Sequence, residues 1–182
     1  VRQALAEQDR IKSQLRELIT AADNLIQEVE MEFLYDSAKE LFAIGYRIDS
    51  GQRDNSYYDL LASESRLGSF IAVATGEVPQ KHWFSLGRSL VNVSGSAALV
   101  SWTGTMFEYL MPLLVMRDFS GTLLARTSQA VVREQQLYGQ LRGVPWGVSE
   151  SAYSVVDFEK TYQYKAFGVP SLGLKRGLAE DL

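Results

Sequence analysis

The chain has 182 residues, of which 46% are hydrophobic and 22% are charged, a composition typical of a folded globular domain rather than of a disordered segment. Its formal net charge of −4 gives no broad basic surface of the kind that binds nucleic acid or an anionic membrane. The absence of cysteine and the presence of a single histidine, His82, exclude disulfides, thiolate nucleophiles and multi-ligand Cys/His zinc sites, so we expect carboxylate chemistry without metal or cofactor.

The first predicted element is a long amphipathic helix over residues 2–34. Apolar residues recur at alternating spacings of four and three, while Arg, Gln, Asp and Glu fill the other side. The apolar stripe comprises Ile11, Leu15, Leu18, Ala22, Leu25 and Val29. Because the heptad pattern lasts under three repeats, we favour a helix that packs on its own domain over a coiled coil or a helix that docks a partner.

The next stretch changes to β-type patterning and then returns to helix. Residues 41–48 form a short run with β-formers, and the Asp-Ser-Gly sequence at 49–51 has turn chemistry, which predicts a hairpin or a strand and loop. Residues 54–56 are of capping types. The sequence therefore predicts a helix over 57–75 that ends at Gly76.

The rest of the chain is predicted to contain three helices separated by loops. They are a short helix over 79–87, a buried helix over 105–116 and an amphipathic helix over 122–141. Residues 95–105 are rich in Gly, Ser and Thr, which predicts a loop with room for a short strand. The irregular last part of the chain is predicted to be mostly loop, where sites usually sit. No apolar run approaches the about 20 residues of a spanning helix, so we expect no membrane contact by this segment.

Five segments of the chain carry a family resemblance. They are residues 55–67, 79–84, 101–112, 145–153 and 162–170. In content and order they resemble the glucoamylase-like domain of bacterial cyclic β-1,2-glucan synthases, and a related family of β-1,2-glucanases carries similar segments. The resemblance covers about residues 30–182 and implies a carbohydrate-active domain.

The resemblance also implies a fold, partners and a location. The fold expected is mainly α, part of an (α/α)6 toroid with one or two short β elements. We assign residues 1–34 to an N-terminal amphipathic helix and 35–182 to the N-terminal part of the toroid. Twelve helices need roughly 190 residues, so this domain is expected to be truncated at its C-terminus and to dimerise or aggregate through exposed apolar surface. The partners implied are β-1,2-glucan and the remaining domains of the same synthase, at the cytoplasmic face of the inner membrane.

Three glutamates in the matching segments are candidates for the chemistry. Glycosidic bonds are characteristically cleaved between two carboxyl groups. The resemblance assigns acid/base catalysis to Glu64, with the proton passing through a substrate hydroxyl, and the role of nucleophile in a retaining mechanism to Glu150. The glucanase relatives invert instead. From the residues alone, a solvated mid-helix glutamate or an arginine partner explains Glu64 as well as a catalytic role does. For Glu150 the alternative interpretation is a loop carboxylate that caps a helix. Glu108, on an apolar helix, is interpreted as substrate-binding or as a structural hydrogen-bond acceptor.

Further residues are candidates for binding sugar. Aromatic rings cover the C–H faces of glucose, although core packing explains any one ring at least as well. The candidate rings are Tyr57, Tyr58, Trp102, Trp146 and Tyr153, and the candidate hydroxyl-binding residues are Asp59, Arg66 and Gln163. The hypotheses are a transglycosylase that closes linear β-1,2-glucan into rings, a hydrolytic endo-β-1,2-glucanase, and a non-catalytic glucan-binding or scaffold fragment.

Overall fold

A computed structural model describes the chain at residues 2–165 and 168–174. These residues form five α-helices and nine short β-strands. The helices are α1 (Arg2–Gln27), α2 (Arg66–Thr75), α3 (Lys81–Ser85), α4 (Met106–Leu110) and α5 (Leu123–Arg142). The strands are β1 (Tyr35–Asp36), β2 (Leu41–Ala43), β3 (Tyr46–Arg47), β4 (Gln52–Arg53), β5 (Tyr57–Tyr58), β6 (Leu90–Val93), β7 (Ser96–Leu99), β8 (Ser151–Val156) and β9 (Tyr162–Lys165). The chain divides into two compact units, Val1–Phe33 and Leu34–Leu182.

The first unit consists mainly of α1. Its apolar side chains, among them Leu15, Leu18 and Leu25, are exposed, and Arg10 pairs with Glu7 one turn earlier. The predicted long helix is present, but it ends at Gln27 rather than near residue 34. Among the described residues, no helix is both long enough and apolar enough to cross a membrane.

The second unit begins with two small antiparallel sheets. One has the order β1-β2-β5, with Tyr35 opposite Phe42 and Phe42 opposite Tyr58. The other is the hairpin β3–β4, whose turn contains Gly51 at φ +65°. The β-structure expected after residue 40 is therefore present. The helix predicted from residue 57 is wrong in its first part, because residues 57–58 pair with β2 and α2 begins only at Arg66.

Two further hairpins were not expected as such. The strands β6 and β7 pair through a two-residue turn, Ser94 and Gly95, at φ +51° and +77°, the positive values that such tight turns require. The strands β8 and β9 pair in the region predicted to be mostly loop. Both hairpins consist of short runs in which the spacing of apolar residues does not distinguish a strand from a loop.

The core of the second unit lies among α4, α5, the β6–β7 hairpin and the segment 168–174. It contains Leu61, Leu86, Leu99, Tyr109, Val131, Val169 and Leu172, all almost completely buried. The Tyr109 hydroxyl lies 2.8 Å from the carbonyl oxygen of Leu99 and 3.0 Å from that of Leu172. Burial raises the pKa of this phenol far above its usual range. Tyr109 therefore joins the hairpin to the segment 168–174.

These observations correct the expected fold class. The described residues contain four small antiparallel sheets and only five α-helices, which is not the almost wholly helical set of elements that the resemblance implied. The expectation of a mainly α chain with one or two β elements is therefore wrong. The physical reason is that most of the strands are two to four residues long, too short to give a period in the sequence.

His82 provides a test of how the second unit is held together. It is fully buried, its Nδ1 lies 2.8 Å from the Glu40 carbonyl oxygen, and its Nε2 lies 2.9 Å from the Ser69 hydroxyl. The ring also packs edge-on against Phe42 at 4.7 Å. We expect His82→Ala to lower the free energy of unfolding by about 2–4 kcal/mol, because it leaves a cavity and two unpaired polar atoms.

The measurement is urea denaturation, with Lys81→Ala as the matched control. Lys81 is the neighbouring residue, is 54% exposed and pairs with Glu40 at 2.7 Å, so its loss should cost less than about 1 kcal/mol. Equal effects of the two substitutions would contradict a structural role for His82.

Candidate active site

One cavity of about 600 Å³ gathers most of the candidate residues, a volume in the range of small-molecule sites. Its walls come from the β1–β2 turn, from β2 and the residue after it, from β5 and its flanking residues, and from the turn before α2. The loop before α4, the first turn of α4 and the residue before β8 complete them. The lining residues that were singled out from the sequence are Tyr57, Tyr58, Asp59, Glu64, Trp102, Glu108 and Glu150. Four of them are carboxylates, whereas Lys39 is the one basic residue in the described lining, so the cavity is acidic.

Glu64 lies in the turn that precedes α2, not in the middle of a helix as predicted. The buried residues 60–62 anchor this turn, and the Leu61 amide donates to the Gly87 carbonyl at 3.0 Å. The Ser63 hydroxyl donates to Glu64 at 3.1 Å. Burial, followed by the charges of Glu108 and Glu150, raises the pKa of Glu64 above its usual value, although its hydrogen bonds oppose the shift. Glu64 therefore keeps its proton to a higher pH than an exposed glutamate does.

Arg66 does not line this cavity. Its side chain is buried and donates to the carbonyl oxygens of Ser63 and Glu108, each at 3.0 Å, and of Tyr109 at 2.6 Å. Burial lowers the pKa of the guanidinium to about 10. The predicted hydroxyl-binding residue thus joins the Glu64 turn to α4.

Glu108 occupies the first turn of α4, where it forms a capping box with Thr105. Its carboxylate is almost fully buried and accepts hydrogen bonds from the Ser101 hydroxyl at 2.9 Å, the Thr103 hydroxyl at 2.7 Å and the Thr105 amide at 2.9 Å. Of the two interpretations offered for this residue, these contacts favour the structural acceptor. Glu108 fixes the loop 101–105 that forms one wall of the cavity.

Glu150 lies between β8 and the loop that precedes it, which is hydrogen-bonded to the start of α4. The Met106 amide donates to the Val148 carbonyl at 3.1 Å, and the Phe107 amide donates to the Ser149 hydroxyl at 3.0 Å, so the preceding residues pack on the start of α4. The carboxylate accepts a hydrogen bond from the Tyr164 hydroxyl on β9. That bond is the main reason why the pKa of Tyr164 is raised. Glu150 does not cap a helix, because a strand follows it.

Aromatic and acidic side chains complete the walls. The Tyr57 hydroxyl donates to Asp36 at 2.8 Å, and the Lys39 ammonium lies 4.2 Å from its ring centroid. Burial, and then the charge of Glu64, raises the pKa of Tyr58. In Asp59, Oδ1 is buried without a hydrogen-bond partner among the described residues, and burial raises the pKa of its carboxyl group.

Two other candidates, Trp146 and Gln163, are absent from the described lining of this cavity. Trp146 is 52% exposed and is absent from the lining. Gln163 is exposed on β9 and donates to Asp157 at 3.3 Å. Tyr153 belongs to β8, but its side chain lies outside the described residues. Among those residues, no group of three or more histidine or acidic side chains is arranged to hold a metal ion.

Lys39 and Thr103 line the cavity but were not singled out from the sequence. Lys39 lies in the turn between β1 and β2, and a lysine in a turn carries no signal that separates it from solvated surface. Thr103 lies inside one of the five matching segments, so the resemblance was the one signal that pointed to it.

Comparisons with known proteins bear on the family of the chain. Residues 56–179 match the Glycoamylase family, described as "Putative glucoamylase". The chain is 46% identical over 173 residues, or 95% of its length, to the "Cyclic beta-(1,2)-glucan synthase NdvB" of Rhizobium meliloti (strain 1021). It spans 6% of the length of that relative. Both findings confirm the resemblance drawn from the five segments.

Glu64 yields a prediction for stability as a function of pH. Its folded-state pKa is raised, so ionising it costs stability; this cost is absent below the unfolded-state pKa and complete above the folded-state pKa. We therefore expect Glu64→Gln to raise the free energy of unfolding at pH 7. The gain should vanish below about pH 4, where glutamate is protonated in both states.

Urea denaturation across this pH range makes the measurement, and Glu40→Gln is the control of opposite sign. The bonds from Lys81 and Ser85 lower the pKa of Glu40, so its replacement should lower stability at pH 7 and have little effect in acid. A loss of stability on Glu64→Gln at pH 7 would refute the assigned direction.

Proposed function

The chain belongs to the glycoamylase family, and from that membership we propose that its cavity transfers glycosyl groups of β-1,2-linked glucan. The observation that carries the proposal is that two partly buried glutamates, Glu64 and Glu150, reach one cavity from distant parts of the chain. The charge of Glu150 is one of the causes that raise the pKa of Glu64. Glycosidic bonds are characteristically broken by such a pair, in which one carboxyl group delivers a proton and the other attacks the anomeric carbon.

The first step breaks the glycosidic bond. One oxygen of Glu150 attacks the anomeric carbon while the bond from that carbon to the glycosidic oxygen breaks. The proton of Glu64 passes through a substrate hydroxyl to the departing oxygen. The hydrogen bond from Tyr164 holds the Glu150 carboxylate in place, which favours attack in one orientation.

The second step returns both carboxyl groups to their starting states. A hydroxyl of an acceptor glucan attacks the anomeric carbon, and the bond from that carbon to Glu150 breaks. The proton of this hydroxyl returns to Glu64 by the same relay. The product is a ring when the acceptor belongs to the same chain. Transfer prevails over hydrolysis only when water is kept from the intermediate.

The walls of the cavity suit an uncharged sugar. Carboxylate oxygens accept hydrogen bonds from sugar hydroxyls, whereas the acidic lining repels phosphates and other anions. The half-buried rings of Tyr58 and Trp102 offer apolar faces to the C–H faces of glucose. The buried Oδ1 of Asp59 is suited to accept from a substrate hydroxyl, because an unpaired buried acceptor gains most from a new hydrogen bond.

Hydrolysis by the same residues is the second candidate function, because Glu64 and Glu150 serve equally when water replaces the sugar acceptor. A non-catalytic glucan-binding or scaffold role is the third. The remaining parts of a longer synthase, and a cytoplasmic inner-membrane location, stay predictions.

The test incubates the full encoded polypeptide with linear β-1,2-glucan and identifies the products by mass spectrometry. Glu64→Gln and Glu150→Gln should each reduce product formation by at least about a hundredfold, because each removes one carboxyl group of the pair. Glu159→Gln is the matched control, since Glu159 is exposed in the turn between β8 and β9. This variant should keep the wild-type rate.

The products decide among the three functions. Rings or redistributed chain lengths support transfer, and short linear products alone support hydrolysis. A folded polypeptide that binds glucan without forming products supports the non-catalytic role. Activity that survives Glu150→Gln at the wild-type rate would overturn the role of Glu150.

A further inference from the structure

Gln135 lies in α5 and is completely buried, yet it is outside the cavity lining. Its side-chain amide makes four hydrogen bonds, and all four go to backbone groups of two loops beside the cavity. We propose that Gln135 is the positioning residue for Glu150, and that it sets the turnover rate without contacting the substrate. This inference depends on the proposed function of Glu150.

The amide pairs with Val148 much as a neighbouring strand would. Its Oε1 accepts from the Val148 amide at 2.7 Å and from the Gly147 amide at 3.3 Å. Its Nε2 donates to the Val148 carbonyl at 3.0 Å. Because the oxygen faces N–H groups and the nitrogen faces carbonyl groups, only one orientation of the amide satisfies all the contacts. Val148 is thus fixed two residues before Glu150.

The same nitrogen links this loop to the loop that Glu108 holds. Nε2 lies 3.3 Å from the Gly104 carbonyl oxygen, which also accepts from the Val169 amide at 3.1 Å. Glu108 fixes the neighbours of Gly104 through Thr103 and Thr105. Gln135 therefore holds the Glu150 segment in a fixed position relative to the loop 101–105.

The rest of α5 supports this assignment. Gly139 lies one turn after Gln135, on the same face of the helix. Its carbonyl accepts from the Val144 amide at 3.0 Å, and a side chain there would lie 3.1 Å from the backbone of Trp146. The segment 144–148 therefore packs directly on α5. Residues 143–150 lack regular secondary structure of their own, so contacts of this kind determine where Glu150 stands.

The predicted consequence is a loss of rate rather than of binding. A nucleophile displaced by about 1 Å costs on the order of a hundredfold in rate. Gln135→Met keeps a side chain of similar length but removes all four hydrogen bonds. We expect it to lower kcat by about ten- to a hundredfold and to change KM by less than about threefold, since the residues that face the sugar are untouched.

Thr127→Val is the matched control. Thr127 is also buried in α5, but its hydroxyl accepts from the Leu99 amide at 3.1 Å, on the β6–β7 hairpin. Both substitutions remove buried hydrogen bonds and should reduce stability. Rates are expressed per folded molecule, so Thr127→Val should keep the wild-type kcat.

The pH dependence of kcat in the Gln135→Glu variant distinguishes a positioning role from a merely structural one. The carboxylate of this variant still accepts from the amides of Gly147 and Val148, but it repels the carbonyls of Gly104 and Val148. When protonated, the new carboxyl donates to one carbonyl again. The ratio of its kcat to that of the wild type should therefore rise as the pH falls toward about 5, near the ordinary range for a glutamate. This variant also tests the inference if Gln135→Met fails to fold.

The outcomes separate this inference from the proposed function. A wild-type kcat in both Gln135 variants, in an assay where Glu150→Gln is inactive, would overturn the positioning role alone. Wild-type activity of Glu150→Gln would overturn the role of Glu150, and the positioning role with it. A selective loss of kcat in Gln135→Met, with a pH-dependent recovery in Gln135→Glu, supports both.

Discussion

The site depends on one buried carboxylate. Glu108 accepts hydrogen bonds from Ser101, Thr103 and Thr105, and this set of bonds folds the loop 101–105 around the start of α4. Gly104, in the centre of the loop, has φ +78°, and a side chain there would collide with the backbone of Val169. The loop therefore presents its backbone to the segment 168–174 at close range, and Gln135 joins it to the Glu150 segment. Truncating Glu108 would leave several buried donors unpaired at once, which is costly.

The carboxyl groups that line the cavity have different environments. Several carboxylates in one partly buried space repel each other, and each escapes the repulsion either by hydrogen bonding or by keeping its proton. Glu108 accepts hydrogen bonds from Ser101, Thr103 and Thr105, whereas burial raises the pKa of Glu64 despite its bond from Ser63. Glu150 has a bond from Tyr164. This difference in environment is the property that acid and nucleophile roles require, and it comes at the expense of stability.

The sequence was sufficient for the family and for much of the cavity, but not for the fold. The segments that carried the resemblance also contain Glu64, Glu108 and Glu150, and these three residues line one cavity. Local patterns misplaced the start of α2, because the leucines at 60 and 61 suit both a helix face and the extended segment that precedes the helix. Arg66 was predicted to bind sugar hydroxyls, yet its side chain donates to the carbonyls of Glu108 and Tyr109 in α4. A helix period cannot report which buried polar group a side chain meets. Gln135 was missed for the same reason, since it lies in an amphipathic helix among other polar residues.

The separation of Glu64 and Glu150 in sequence explains why small contacts matter here. Neither residue belongs to a regular element, and each stands at the end of a short segment fixed by side chains from elsewhere. Arg66 ties the Glu64 turn to α4, and the start of α4 ties the Glu150 segment through Val148 and Ser149. Both carboxylates are therefore held in position by hydrogen bonds to the same short helix, α4, which Glu108 caps. Displacement of either loop must break hydrogen bonds to α4, and displacement of the Glu150 segment must also break those that Gln135 of α5 makes with Gly147 and Val148.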